Sequence, residues 1–144
     1  MPSIQRSVLV PFRCEQMFDL VADVARYPDF MPWCGGAQVH WQNDTGMQAT
    51  VHIHFAGIRQ SFTTRNEHDY PHRIVFHLVD GPFSNLTGYW AFDALGTDGC
   101  KVSYTMEYVF SSRALSAVVG PVFNRIASSF IDSFTRRAYD VYKG

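Results

Sequence analysis

The sequence predicts an α+β fold in which a curved antiparallel sheet of about seven strands, in the order β-α-α-β6-α, wraps around a long C-terminal helix. Three observations carry that expectation. Apolar residues recur with a period of two from residue 36 to residue 110, turn-forming residues punctuate that stretch, and after residue 114 the period changes to three and four. With 144 residues, 47% of them hydrophobic, the chain has the material for one buried core, so residues 1–144 are read as a single domain.

Ile4, Arg6, Val8 and Val10 form a first alternating strand that Pro11 interrupts. From Glu15 to Val24, helical spacing puts Met17, Phe18, Leu20, Val21 and Val24 on one face. The segment from Arg26 to Trp33 contains Pro28 and Pro32 and has room for a single helical turn. Six strands then follow. Val39 and Trp41 oppose Gln38, His40 and Gln42, and Val51, Ile53 and Phe55 oppose Thr50, His52 and His54. Ile58 and Phe62 face away from Arg59, Ser61, Thr63, Arg65 and Glu67, as Ile74, Phe76 and Leu78 do from Arg73 and His77. Trp90 and Phe92 oppose Tyr89 and Asp93, and Val102, Tyr104, Met106, Tyr108 and Phe110 oppose Lys101, Ser103, Thr105 and Glu107. One face is apolar and the other wet, which is the pattern of an antiparallel sheet covered on one side. Turns are expected at Asn43–Gly46, Ala56–Gly57, Tyr70–Pro71 and Thr97–Gly99. The cover is a helix whose stripe runs through Leu115, Val118, Val119, Val122, Phe123, Ile126, Ala127, Phe130, Phe134, Ala138 and Val141, with a kink expected at Gly120–Pro121.

Composition removes several classes of function. Twelve basic against thirteen acidic residues give a net charge of −1, so no global positive field draws the chain to DNA or anionic lipid. No run approaches the roughly 18 uninterrupted apolar residues of a spanning helix, and the N-terminus lacks a signal-peptide pattern, so a soluble cytoplasmic protein is expected. Cys14, Cys34 and Cys100 are an odd, widely spaced set, which fits a reducing compartment better than a disulfide framework or metal site. His52-x-His54 has chelate spacing, but the alternation sends both rings to solvent with no third ligand, so no metal is expected. His40, His68, His72 and His77 fall on outward or turn positions. No nucleophile with a His partner and no inward carboxylate pair is found, so no catalytic residue is assigned and a non-enzymatic role is expected.

The unusual feature is the aromatic interior, and composition alone does not separate a packed core from an apolar pocket. Here particular motifs help. Tyr27-Pro28-Asp29-Phe30-Met31-Pro32-Trp33-Cys34, Leu78-Val79-Asp80-Gly81-Pro82-Phe83, Leu86-x-Gly88-x-Trp90-x-Phe92, Phe62-Thr63-Thr64-Arg65-Asn66 and the ending Phe134-x-x-Arg137-Ala138-x-x-Val141-Tyr142 span nearly the whole chain. Through them it resembles the coenzyme Q-binding START-domain family of the polyketide cyclase-like superfamily, whose bacterial branch includes the ribosome association toxin A proteins. The resemblance implies a helix-grip fold. As its first functional expectation it implies binding of a hydrophobic ligand, most of all a polyisoprenoid quinone such as ubiquinone, by a lipid carrier or chaperone that supports respiration and requires no cofactor.

On that expectation the pocket wall comprises Trp33, Phe55, Phe62, Leu78, Trp90, Phe92, Met106, Tyr108, Val119, Phe123, Ile126 and Phe130, with Tyr104 and Tyr108 as polar partners for a quinone head. An entrance is expected at Asp80–Phe83 and Gly120–Pro121, where an exposed Phe83 would touch a membrane surface or a partner. The alternative implied by the toxin branch is contact with the large ribosomal subunit that blocks subunit association. Ten of the twelve basic residues are arginines, and Arg59, Arg65, Arg73, Arg136 and Arg137 are the candidate RNA contacts, since a guanidinium can hold two phosphate oxygens at once.

Overall fold

The computed structural model describes residues 3–142. Its seven-stranded antiparallel sheet has the order β1-β7-β6-β5-β4-β3-β2. The strands are β1 (Ser3–Val10), β2 (Cys34–Asn43), β3 (Gly46–Phe55), β4 (Ile58–Asp69), β5 (Arg73–Asp80), β6 (Phe83–Leu95) and β7 (Gly99–Phe110). Helices α1 (Cys14–Ala22) and α2 (Tyr27–Phe30) bridge β1 to β2, while α3 (Arg113–Ser128) and α4 (Phe130–Tyr142) end the described chain. The predicted α+β order and helix-grip architecture are therefore what the chain forms.

Consecutive strands pair as hairpins because each joint has suitable turn chemistry. At the β3–β4 joint Ala56 and Gly57 both have positive φ, 52° and 80°, as a two-residue turn matched to strand twist requires. The single first-to-last pairing, β1 on β7, brings the N-terminal strand beside the last one in register from Ser3–Glu107 to Val10–Cys100. All five apolar positions predicted for the first helix are buried, and so is the complete inner row Val102, Tyr104, Met106, Tyr108 and Phe110 of β7.

The C-terminal helical segment departs from expectation in two ways. Pro121 lies within α3 and the helix continues through it; the break comes instead at Ser129. There the Ser129 hydroxyl donates to the Ile126 carbonyl at 2.7 Å, competing with the helical ladder. Arg6 on β1 holds the junction, its guanidinium donating to the Ser128 carbonyl at 2.5 Å and to the Asp132 carboxylate at 3.1 Å. Second, Val118 and Val141 are 65% and 48% exposed, so the buried stripe is narrower than the sequence pattern. By length and composition the 113–142 segment could cross a membrane, but its Val119, Phe123, Ile126, Ala127, Ile131 and Phe134 are buried in the grip of the sheet.

Strand β2 gives the clearest correction. Trp41 is 42% exposed although it was expected inside, whereas Val39 keeps the predicted inner face opposite the buried Ala49 and is 36% exposed because β2 is an edge strand. Register shifts between Cys34 and Gly36 and between Val39 and Trp41 place Trp41 opposite Gln48, an outward residue of β3. A bulge adds one residue to a strand, and with a period of two that single residue moves every later side chain to the opposite face.

Candidate functional site

The interior aromatics separate into two groups with different chemistry. Under α3 they form a solid cluster. Phe123 lies 4.8 Å from Tyr108, 5.0 Å from Phe83 and 5.8 Å from Phe110 between ring centroids, and Phe83 stacks on Phe110 at 4.8 Å. This filling overturns the predicted entrance. Phe83 is 6% exposed, because the register shift between Phe83 and Asn85 turns its ring inward, and the expected membrane-touching phenyl is a core residue. Tyr108 points away from any interior space, its hydroxyl donating to Asn124 Oδ1 at 3.2 Å beside an outer groove at Gly120–Pro121.

The second group surrounds a real void. A cavity of about 80 Å³ lies between α1, α2, the α3–α4 junction and strands β3 to β7. Of the predicted wall, Trp33, Phe62, Trp90, Tyr104, Met106 and Phe130 line it. The others lie elsewhere. Phe92 packs against Phe18, Phe55 sits under the Arg125 guanidinium, Leu78 is half-buried near Gly81, and Val119, Phe123 and Ile126 are core residues of α3.

Sequence reasoning put Val51, Ile74, Phe76 and Phe134 on inner faces without assigning them to the pocket, and it missed the polar and helical-bridge part of the lining. Val21, Val24, Tyr27 and Met31 come from the helical bridge, whose packing no strand pattern reveals. Thr64 and Asn66 come from β4, where the same alternation that turned Phe62 inward would have placed them if polar residues had been allowed inside. Thr64 Oγ1 donates to Asn66 Oδ1 at 2.9 Å, so this polar pair is partly self-satisfied. His68 continues the inward row. It was expected outside, yet it is half-buried, meets Phe18 edge-on at 5.4 Å, and its Nε2 has no hydrogen-bond partner. Burial lowers its pKa, since desolvation penalises the imidazolium.

The titratable groups around the cavity are locked in their neutral forms. Tyr104 is 1% exposed, stacks on Trp90 at 4.4 Å and points its hydroxyl at Met106 Sδ, and burial raises its pKa well above the ordinary phenol value. Tyr27 donates to the Val21 carbonyl at 2.5 Å, and burial, then Cys34 and Asp23, push its pKa up as well. No Asp or Glu lines the space. These groups offer hydrogen bonds at neutral pH and exchange no protons there. Trp33 is 2% exposed and lines the cavity, and its Nε1–H has no acceptor.

The predicted arginines do not form one patch. Arg59, Arg65 and Arg73 lie on the outward face of β4 and β5. Arg136 and Arg137 belong to α4, on the opposite side of the sheet, and Arg137 lies over the Phe30 ring at 4.9 Å. His52 and His54 are outward as expected. His52 Nδ1 shares a 2.5 Å hydrogen bond with Ser61, and the His54 ring covers Gly35, where any Cβ would lie 2.3 Å from His54 Nδ1.

Comparison with known proteins agrees with this geometry. The ribosome association toxin RatA of Vibrio cholerae is 45% identical over 142 residues, covering 99% of each chain. The mitochondrial coenzyme Q-binding protein COQ10 homolog B of Xenopus laevis is 24% identical over 140 residues, 94% of this chain and 57% of that relative. In fold, the Zhui aromatase/cyclase from Streptomyces sp. R1128 superposes with a TM-score of 0.83 at 16% identity, covering 95% of this chain and 93% of that one. The family model described as "Polyketide cyclase / dehydrase and lipid transport" matches residues 10–135. This chain belongs to that START-like family, and within it stands with proteins named ribosome association toxin RatA.

Proposed function

We propose that this protein is a non-enzymatic cytoplasmic factor that binds the ribosome and opposes association of its subunits. The observation that carries this reading is end-to-end similarity, 45% over 99% of both chains, to a protein named for ribosome association. The interior supports it. A cavity of about 80 Å³ is well under the roughly 300 Å³ at which small-molecule sites usually begin, so a quinone with an isoprenoid tail does not fit unless core side chains move. The order of the two expectations from sequence is thereby reversed. The test is to mix purified small and large subunits with increasing protein and resolve them on a sucrose gradient. Joined ribosomes should decline as the protein rises toward stoichiometry; an unchanged gradient at excess protein refutes the reading.

One observation favours a second role as a carrier of a hydrophobic ligand. The unpartnered Trp33 Nε1–H beside the cavity is suited to a ligand oxygen, in a family whose description includes lipid transport. Organic extraction of the protein purified from its own cytoplasm tests this. A stoichiometric lipid, lost in Trp33→Phe, would support the carrier, and an empty extract would sink it.

A further inference from the structure

The face of β2 to β5 turned away from the helices carries chemistry that the cavity does not use. The bulge in β2 places Trp41 opposite Gln48, and the register continues from Gln48 to Arg65 and from Arg65 to His77. An indole, an amide, a guanidinium and an imidazole thus form one row across four strands. Toward the β3–β4 hairpin, Thr50 Oγ1 shares hydrogen bonds with His40 Nε2 at 2.7 Å and with Thr63 Oγ1 at 2.5 Å. His52 with Ser61, and then His54 with Arg59, follow in register. On the other side of the Trp41 row, the Arg73 guanidinium lies 5.0 Å over the partly exposed Tyr89 ring. Four carboxylates lie on or beside this face, and Glu67, two residues from Arg65 on β4, is within it. Glu67 is tied to His77 at 3.0 Å, Asp44 is in the β2–β3 turn, Asp69 is opposite Arg73, and Asp80 ends β5. Arg59 and Arg65 have no ion-pair partner among the described residues.

We propose that this face, centred on Trp41 and Arg65, is the docking surface for an unpaired RNA loop, and so the surface through which the chain engages the ribosome. The proposal rests on the ribosome reading above. Unpaired RNA presents base faces that stack on an exposed indole, phosphates that take a guanidinium fork, and base edges and 2′-hydroxyls that both donate and accept. Histidine, glutamine, serine and threonine match that last group, and here they fill the ground between the arginines. A protein partner would call for a contiguous apolar centre, whereas Trp41 stands beside His40 and Gln48, with Arg65 next in the row. Two to three arginine contacts imply a modest salt dependence, with log K falling against log salt at a slope of about −2.

The exposed indole supplies the readout, because Trp33 and Trp90 are 2% and 5% exposed while Trp41 is 42% exposed. Titration with a single-stranded oligouridylate should quench tryptophan fluorescence, whereas a duplex of equal charge should bind more weakly. Trp41→Ala and Arg65→Glu should each weaken oligonucleotide binding and co-sedimentation with large subunits by about tenfold or more. Lys101→Glu, on β7 at the far side of the sheet, makes the same charge change as Arg65→Glu and should alter neither; thermal melts should confirm that all three variants are folded. If wild type co-sediments and both Trp41→Ala and Arg65→Glu do so equally well, the surface assignment fails and the ribosome reading stands. If the oligonucleotide binds as described but wild type does not co-sediment, the RNA surface stands and the ribosome reading fails. If the variants lose the subunit while wild type ignores the oligonucleotide and is insensitive to salt, the face meets a protein and the RNA assignment is overturned.

Discussion

Phe123 offers the sharpest test of whether the aromatic interior is solid beneath α3. Its side chain is 1% exposed and sits among Phe62, Phe83, Tyr108 and Phe110 at centroid distances of 4.8 to 6.2 Å. Phe→Ala in a core costs about 3–5 kcal/mol, and aromatic pairs contribute about 0.5–1.5 kcal/mol each beyond area burial. Because all four of those neighbours are fixed on β4, β6 and β7 of a hydrogen-bonded sheet, the hole cannot collapse and the loss should be about 4 kcal/mol. For a domain of 144 residues, at about 4 °C per kcal/mol, Phe123→Ala should lower Tm by about 16 °C in a calorimetric or circular-dichroism melt. Val118→Ala on the same helix, 65% exposed, should stay within about 2 °C. If Phe123 instead walled an open ligand space, as the sequence suggested, one side of the ring would have no partners and the loss would be about half. A fall below about 8 °C would therefore refute the packed-cluster account.

Three further outcomes follow from the geometry. Arg6→Ala should cost about 1 kcal/mol in urea unfolding and Asp132→Ala less, since the ion pair is solvent-exposed while the bond to the Ser128 carbonyl caps α3; equal losses would contradict that division. His68, whose pKa burial holds below that of the unfolded chain, binds its proton more readily when unfolded, so it costs no stability above about pH 6.5 and destabilises as pH falls below that value. The drop in urea midpoint between pH 7 and pH 5.5 should accordingly be smaller in His68→Gln than in wild type. Finally, burial raises the thiol pKa of Cys34, and burial with the Cys14 sulfur 2.9 Å away raises that of Cys100, so iodoacetamide at pH 8 should label neither until denaturant is added. Rapid labelling of the native protein would mean that those segments open.

Much of the fold was legible because it depends on local periodicity. Alternation from Val102 to Phe110 assigned the faces of β7, and the positions from Met17 to Val21 assigned the buried face of α1, since each pattern records which side meets water. The family was legible too, through motifs that include the Tyr27–Cys34 segment, and the outward arginines of β4 followed from the period of two. Other properties depend on contacts between residues far apart in the chain. One bulge in β2 reversed the facing of Trp41, and no residue in that strand announces it. The helix ran through Pro121 and broke at Ser129, where Arg6, more than 120 positions away, holds the junction. Phe83 filled the expected entrance because it found Phe110 and Phe123, a matter of side-chain packing in three dimensions. Periodicity reports which face a residue takes; whether the space behind that face is full, empty or displaced by one residue is decided only when the distant surfaces are pressed together.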